Sequence, residues 1–187
     1  KGIVAASAGN HAQGIALAAR KLGCQAIVYM PVSTPEVKQS EVKRHGGENV
    51  EIRLIGDSYD DAGIAARQYC DEAGAVYVHP YDDIVTMGGQ GTVADEIVMS
   101  GEGPFDRVYI AVGGGGLAAA VSCWLKKYWP ECKVIGVEPT GAATSSEGCG
   151  WAQAMASRAG TDKRVKRSAC GMVTRGHVVQ ACSRRRA

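Results

Sequence analysis

Ile3-Val4-Ala5-Ala6-Ser7-Ala8-Gly9-Asn10-His11-Ala12-Gln13-Gly14 is the stretch on which the fold reading turns. A short apolar run breaks at small and polar residues, and a helical pattern then continues to Leu22, with Ile15, Leu17, Ala18 and Leu22 available for a buried face. Gly23 fits a helix C-cap. A strand leading through a tight loop into a helix leaves backbone N–H groups unpaired at the helix start, where the helix dipole favours an anion. Gly9 lets a ligand approach the backbone. Ser7, Asn10, His11 and Gln13 add side-chain donors, so a carboxylate or phosphate is the natural guest. An ordinary helix start explains the same residues, with Asn10 as N-cap and Ser7 in a turn. His11 lacks a second ligand at helical spacing, which argues against a metal.

Outward from this stretch the alternation repeats. Ala26 to Met30 reads as a strand closed by Pro31. A helix follows with Pro35 at its first position and ends at Gly46-Gly47. Asn49 to Ile55 is the next strand, and Asp57 or Ser58 can cap a helix to about Ala73. Val76 to Val78 is a short strand, Gly91 to Met99 a helix, Arg107 to Val112 a strand, Gly116 to Tyr128 a helix and Lys133 to Val137 a strand. Strands joined by helices of this length predict an α/β fold with parallel pairing, whose ligands bind beyond the carboxyl ends of the strands.

The loop Gly113-Gly114-Gly115-Gly116-Leu117 is the second unusual one. Four consecutive glycines carry a high entropic cost. Their successive N–H groups at a helix start form an anion nest suited to a phosphate monoester. A flexible turn is the plainer reading. Gly113, Gly115 and Ala118 also fit G-x-G-x-x-A, with Glu138 about 20 residues on, which is the pattern of an NAD-type dinucleotide site.

In 187 residues, 45% are hydrophobic and 21% charged, which predicts an ordinary globular core. A net charge of +2 is too small to argue for nucleic acid or a membrane surface, and neither is expected as a partner. Residues 145–187 carry nine Lys or Arg against two Asp or Glu, and the preceding part carries twelve against seventeen. The seven cysteines form no C-x-x-C pair, which suits reduced thiols in a cytoplasm-like compartment. No run is apolar enough to span a membrane. The chain begins without Met, so a targeting segment for an organelle is compatible with it.

The two loops, in this order, resemble those of the fold-type II pyridoxal-phosphate (PLP) enzymes, and within them the threonine dehydratases (threonine ammonia-lyases). His79-Pro80-Tyr81-Asp82-Asp83 followed by Gly89-Gln90-Gly91-Thr92 carries the same resemblance, which covers about Lys1 to Ala142. The resemblance implies a Rossmann-like parallel-sheet fold, incomplete here, in which 1–80 form a small mobile lobe and 81–144 part of the large PLP-binding lobe. It implies that Gly113, Gly114, Gly115, Gly116 and Leu117 bind the cofactor phosphate, and that Asn10 bonds the ring hydroxyl. Ser7, Gly9, Asn10 and His11 would hold the carboxylate of a small amino-acid substrate. The implied reaction is α,β-elimination from L-threonine or L-serine to 2-oxobutanoate or pyruvate and ammonia, in a homo-oligomer of amino-acid metabolism. Ala8 stands where the related serine racemases carry Ser, which favours elimination over racemisation. Thr144 stands where a carboxylate would complete a cation site with Glu138, so no metal is expected.

Two features depart from the family pattern. The Schiff-base lysine belongs upstream of the first loop, and Lys1 is misplaced for it. No catalytic residue is therefore assigned, and the chain is expected to be an inactive fragment by itself. Residues 145–187 lack Leu, Ile, Phe and Tyr and end in Arg184-Arg185-Arg186, which reads as an irregular tail from a shifted reading frame or partial sequence. A basic tail for an acidic partner is the other reading.

Overall fold

The computed structural model describes residues 2–137 and the two strands Cys170–Val173 and Val178–Ala181. The chain divides into two compact units, Lys1–Pro80 and Tyr81–Ala187. Lys1, Glu138 and Thr144, on which the lysine and metal expectations fall, lie outside the described residues.

The first unit runs β1 (Ile3–Ala6), α1 (Asn10–Leu22), β2 (Ala26–Met30), α2 (Glu36–Gly46), a 3-10 turn (Gly47–Asn49), β3 (Val50–Leu54), α3 (Tyr59–Ala73) and β4 (Val76–Tyr77). Its strands form one parallel sheet in the order β3-β2-β1-β4, with Val4 opposite Ile27 and Tyr77. β1 is central and buried on both faces, as its unbroken apolar composition requires. Successive side chains alternate between the faces. Ala5, with Val28 and Met30 of β2, packs on Ala12, Ile15, Ala16 and Ala19 of α1 and Val42 of α2. Val4 and Ala6, with Tyr29, pack on Ala62, Ala66 and Cys70 of α3.

The second unit contains α4 (Ile84–Met99), β5 (Arg107–Ala111), α5 (Gly116–Tyr128), β6 (Lys133–Val137), β7 (Cys170–Val173) and β8 (Val178–Ala181). β5 and β6 pair in parallel, β8 joins β6 antiparallel and β7 pairs with β8. Ala94 of α4 and Ala118, Val121 and Leu125 of α5 meet Ile110, Val112, Cys132 and Val134 in its core.

The α/β class and the parallel pairing are as the alternation predicts, and several details differ. The buried stripe of α1 is Ala12, Ile15, Ala16 and Ala19, whereas Leu17 and Leu22 are exposed. Small residues let the helix approach the sheet closely, so the alanines rather than the leucines face inward. Pro35 is the N-cap of α2, in extended conformation, and Glu36 is the first helical residue. α4 begins seven residues earlier than expected. Asp83 caps it by accepting the Thr86 N–H at 2.8 Å, while Gly88, Gly89 and Gly91 hide the helical pattern in the sequence. β7 and β8 fall within 145–187, the stretch expected to be irregular. Val173, Val178 and Val179 supply the β-branched residues that favour strand there.

Candidate functional site

The first loop leaves the sheet in stages. The Ser7 N–H donates to the Tyr29 carbonyl at 3.1 Å, extending the β1–β2 ladder by one residue. The Tyr59 hydroxyl donates to the Ala6 carbonyl at 2.6 Å and fixes the last residue of β1. The buried Ser7 Oγ accepts the Gly9 N–H at 3.2 Å, closing a small turn and leaving the hydroxyl hydrogen free to donate elsewhere. Gly9, not Asn10, is the N-cap of α1, so no side chain caps this helix. Asn10 is its first residue and is exposed. A Cβ placed on Gly9 would meet no atom within 4 Å, so space opens in front of the loop backbone.

His11 is partly committed. Its Nε2 lies 3.0 Å from the Val78 carbonyl, and since a carbonyl only accepts, Nε2 carries the hydrogen. The bond ties α1 to the end of β4. Burial, together with the neighbouring charge of His79, holds the His11 pKa below the usual imidazole value, and the Val78 bond opposes this in part. A base with a lowered folded-state pKa stabilises the fold above its unfolded pKa, and that contribution is lost as pH falls through the folded value. The chain should therefore lose stability in urea titrations as pH is taken from about 7.5 to about 5, through the usual imidazole range, and His11→Gln should flatten this dependence. An unchanged slope in the variant would contradict the neutral assignment.

The second loop ends β5. The Val112 N–H donates to the Val137 carbonyl at 3.0 Å, and the chain then turns through Gly115, whose φ of 86° is left-handed. The Ala119 N–H makes the first helical bond, to Gly115 at 2.9 Å. The N–H groups of Gly116, Leu117 and Ala118 thus sit in the first turn, without acceptors four residues back. The four glycines divide by cause. Gly115 is required by its φ, and Gly113 faces open space. A Cβ on Gly114 would run into the Tyr81 ring, and one on Gly116 would lie 2.9 Å from the Tyr81 backbone. Sequence reading assigned all four to a ligand and missed Tyr81, although its motif had been noted.

The five described helices differ at their N-termini. Ser58 and Asp61 form a capping box on α3, Asp83 caps α4, and Glu36 puts a carboxylate in the first turn of α2. Only α1 and α5 have neither a side-chain cap nor an acidic residue in the first turn. These are the helices that follow the two loops. Their positive ends are the ones left for an external anion.

An α/β protein in which two strand–loop–helix junctions carry neither a side-chain cap nor a first-turn acid is the class that this geometry defines. The comparisons make it specific: the family model described as "Pyridoxal-phosphate dependent enzyme" matches residues 1–184, and the chain belongs to that family. The match extends beyond Ala142, where the sequence resemblance was placed. A biosynthetic L-threonine dehydratase of Burkholderia multivorans is 42% identical over 180 residues, covering 96% of this chain and 34% of that protein. The processed form of threonine deaminase isoform 2 from Solanum lycopersicum superposes with a TM-score of 0.69 at 43% identity, covering 76% of this chain and 38% of that one. Maize serine racemase gives a TM-score of 0.71 at 33% identity, over 78% and 43%. The chain spans about a third of the length of the curated relatives it matches. Among the described residues no helix is long and apolar enough to cross a membrane.

Proposed function

We propose that this chain supplies the cofactor-phosphate loop and the substrate-carboxylate loop of a PLP-dependent L-threonine (L-serine) dehydratase. The observation that carries the reading is that α1 and α5, alone among the described helices, lack both cap and acidic first turn. The residues fit the cofactor: a Cβ on Gly113 or Gly9 would meet no atom within 4 Å, and the first-turn N–H groups of α5 suit a phosphate dianion.

In this reading the backbone N–H groups of Gly113 to Leu117 hold the phosphate, and Asn10 bonds the ring hydroxyl. Ser7, Gly9, Asn10 and His11 orient the substrate carboxylate. A neutral His11, its Nε2–H already given to the Val78 carbonyl, offers the carboxylate its backbone N–H rather than a ring donor or a fixed charge. Bound PLP supplies an electron-withdrawing ring that acidifies the substrate α-carbon. Ala8 offers no group to deliver a proton to the opposite face, so elimination to 2-oxobutanoate (pyruvate) and ammonia is favoured over racemisation. Residues 1–80 serve as the small lobe and 81–144 as part of the PLP-binding lobe of a homo-oligomer working in isoleucine biosynthesis, in the cytoplasm or an organelle. The NAD-type reading of Gly113-x-Gly115-x-x-Ala118 is not favoured by the family match.

A chimera tests the assignment. Residues 2–137 replace the matching segment of the Burkholderia enzyme, and 2-oxobutanoate is measured from L-threonine. Turnover without D-amino acid is expected. A folded, PLP-loaded chimera that is inert toward both threonine and serine would contradict the substrate assignment.

A further inference from the structure

Two of the four loop glycines owe their identity to one residue, Tyr81, Gly114 to its ring and Gly116 to its backbone. Gly114 has no left-handed φ, so its backbone alone would accept an alanine; the Tyr81 ring is what excludes a methyl group there. Gly116 meets the Tyr81 backbone, which cannot rotate away. Tyr81 is itself held on both sides. Pro80 fixes the backbone dihedral just before it, and Asp83, two residues later, anchors the α4 N-terminus. Tyr81 as a residue is 37% exposed, so it is a surface brace rather than a core residue. A loop of four glycines has the greatest backbone freedom of any sequence, and binding would have to overcome it. A flat side chain set against its middle removes much of that freedom before a ligand arrives.

We propose that Tyr81 is a positioning residue that pre-orders the Gly113–Leu117 loop for a phosphate monoester. It acts through the backbone at Gly114 and Gly116 and not through its own contact with the ligand. The inference rests on the phosphate reading of that loop.

Calorimetry with pyridoxine 5′-phosphate, which lacks the reactive aldehyde, and with pyridoxine, which lacks the phosphate, tests it on the whole chain. Tyr81→Ala should weaken pyridoxine 5′-phosphate roughly tenfold or more, the scale of a charge-assisted hydrogen bond, and leave pyridoxine unchanged. Tyr81→Phe, which keeps the ring against Gly114, should bind closer to the parent than Tyr81→Ala does. Gly114→Ala should weaken binding when Tyr81 is present and add no further loss in the Tyr81→Ala background. Gly115→Ala should weaken binding by the same factor in both backgrounds, because its φ and not the Tyr81 ring is the obstacle. Circular dichroism checks folding, and Tyr81→Leu, which keeps apolar bulk without a flat ring, carries the test if Tyr81→Ala is unfolded. Tyr81→Ala binding like the parent, or additive losses in the double variant, would overturn the role of Tyr81 alone. A parent chain that binds neither compound would overturn the cofactor reading, and this inference with it.

Discussion

Gly115→Asp is expected to abolish phosphate-ester binding, whereas Gly115→Asn retains most of it. Both side chains have nearly the same shape, and Asn and Asp both tolerate the left-handed region better than other residues, so the φ of 86° is strained alike in the two variants. They differ in charge. A carboxylate about 5 Å from a phosphate, at an effective dielectric near 20, is repelled by roughly 3 kcal/mol per unit charge, or about two orders of magnitude in affinity. It would also set a negative charge at the positive helix end of α5, which the neutral Asn does not. Titration with pyridoxine 5′-phosphate checks both variants. Equal losses for Asp and Asn would show that loop conformation, not anion recognition, governs the site.

Leu125→Ala is expected to have the largest effect on stability. Leu125 is wholly buried on α5, among Ala94, Ile110, Val121 and Val134. Truncating a leucine in such a site destabilises by about 2–5 kcal/mol, through lost transfer energy and the cavity left behind. Stability of a whole domain is typically only about 5–15 kcal/mol, so the second unit should unfold at markedly lower denaturant. Trp129, which packs against the same core, reports the transition by fluorescence. Leu22→Ala is the matched control. That side chain is 77% exposed on α1, and its loss should leave the midpoint nearly unchanged. Similar shifts for both leucines would mean that the two units do not have the cores described.

The order of strands and helices was readable because each strand is a compact apolar run and each helix starts and stops at identifiable residues. Gly23 ends α1 in the left-handed conformation, and Ser58 starts α3. The placement of the two loops was readable too, since each stands between an apolar strand and a helix. What escaped reading depended on contacts distant in sequence. No local pattern states that Tyr81 lies against Gly114, and glycines required by a neighbouring ring look the same as glycines required by a ligand. Of the face expected for α1, Ile15 is buried but Leu17 and Leu22 are not, because alanines carry little hydrophobic weight in a sequence, yet close approach to the sheet selects them. His11 looked like a free donor until β4 brought the Val78 carbonyl to it. β7 and β8 were unreadable because four-residue strands in an Arg-rich context give no period to detect.

The most direct measurement follows the backbone amide resonances of the isotope-labelled chain as pyridoxine 5′-phosphate is added. The account predicts that the amides of Gly113 to Leu117 shift along one saturable binding curve, and that inorganic phosphate moves the same amides. Gly113 to Leu117 staying silent at saturation would contradict the proposal that this loop holds a cofactor phosphate.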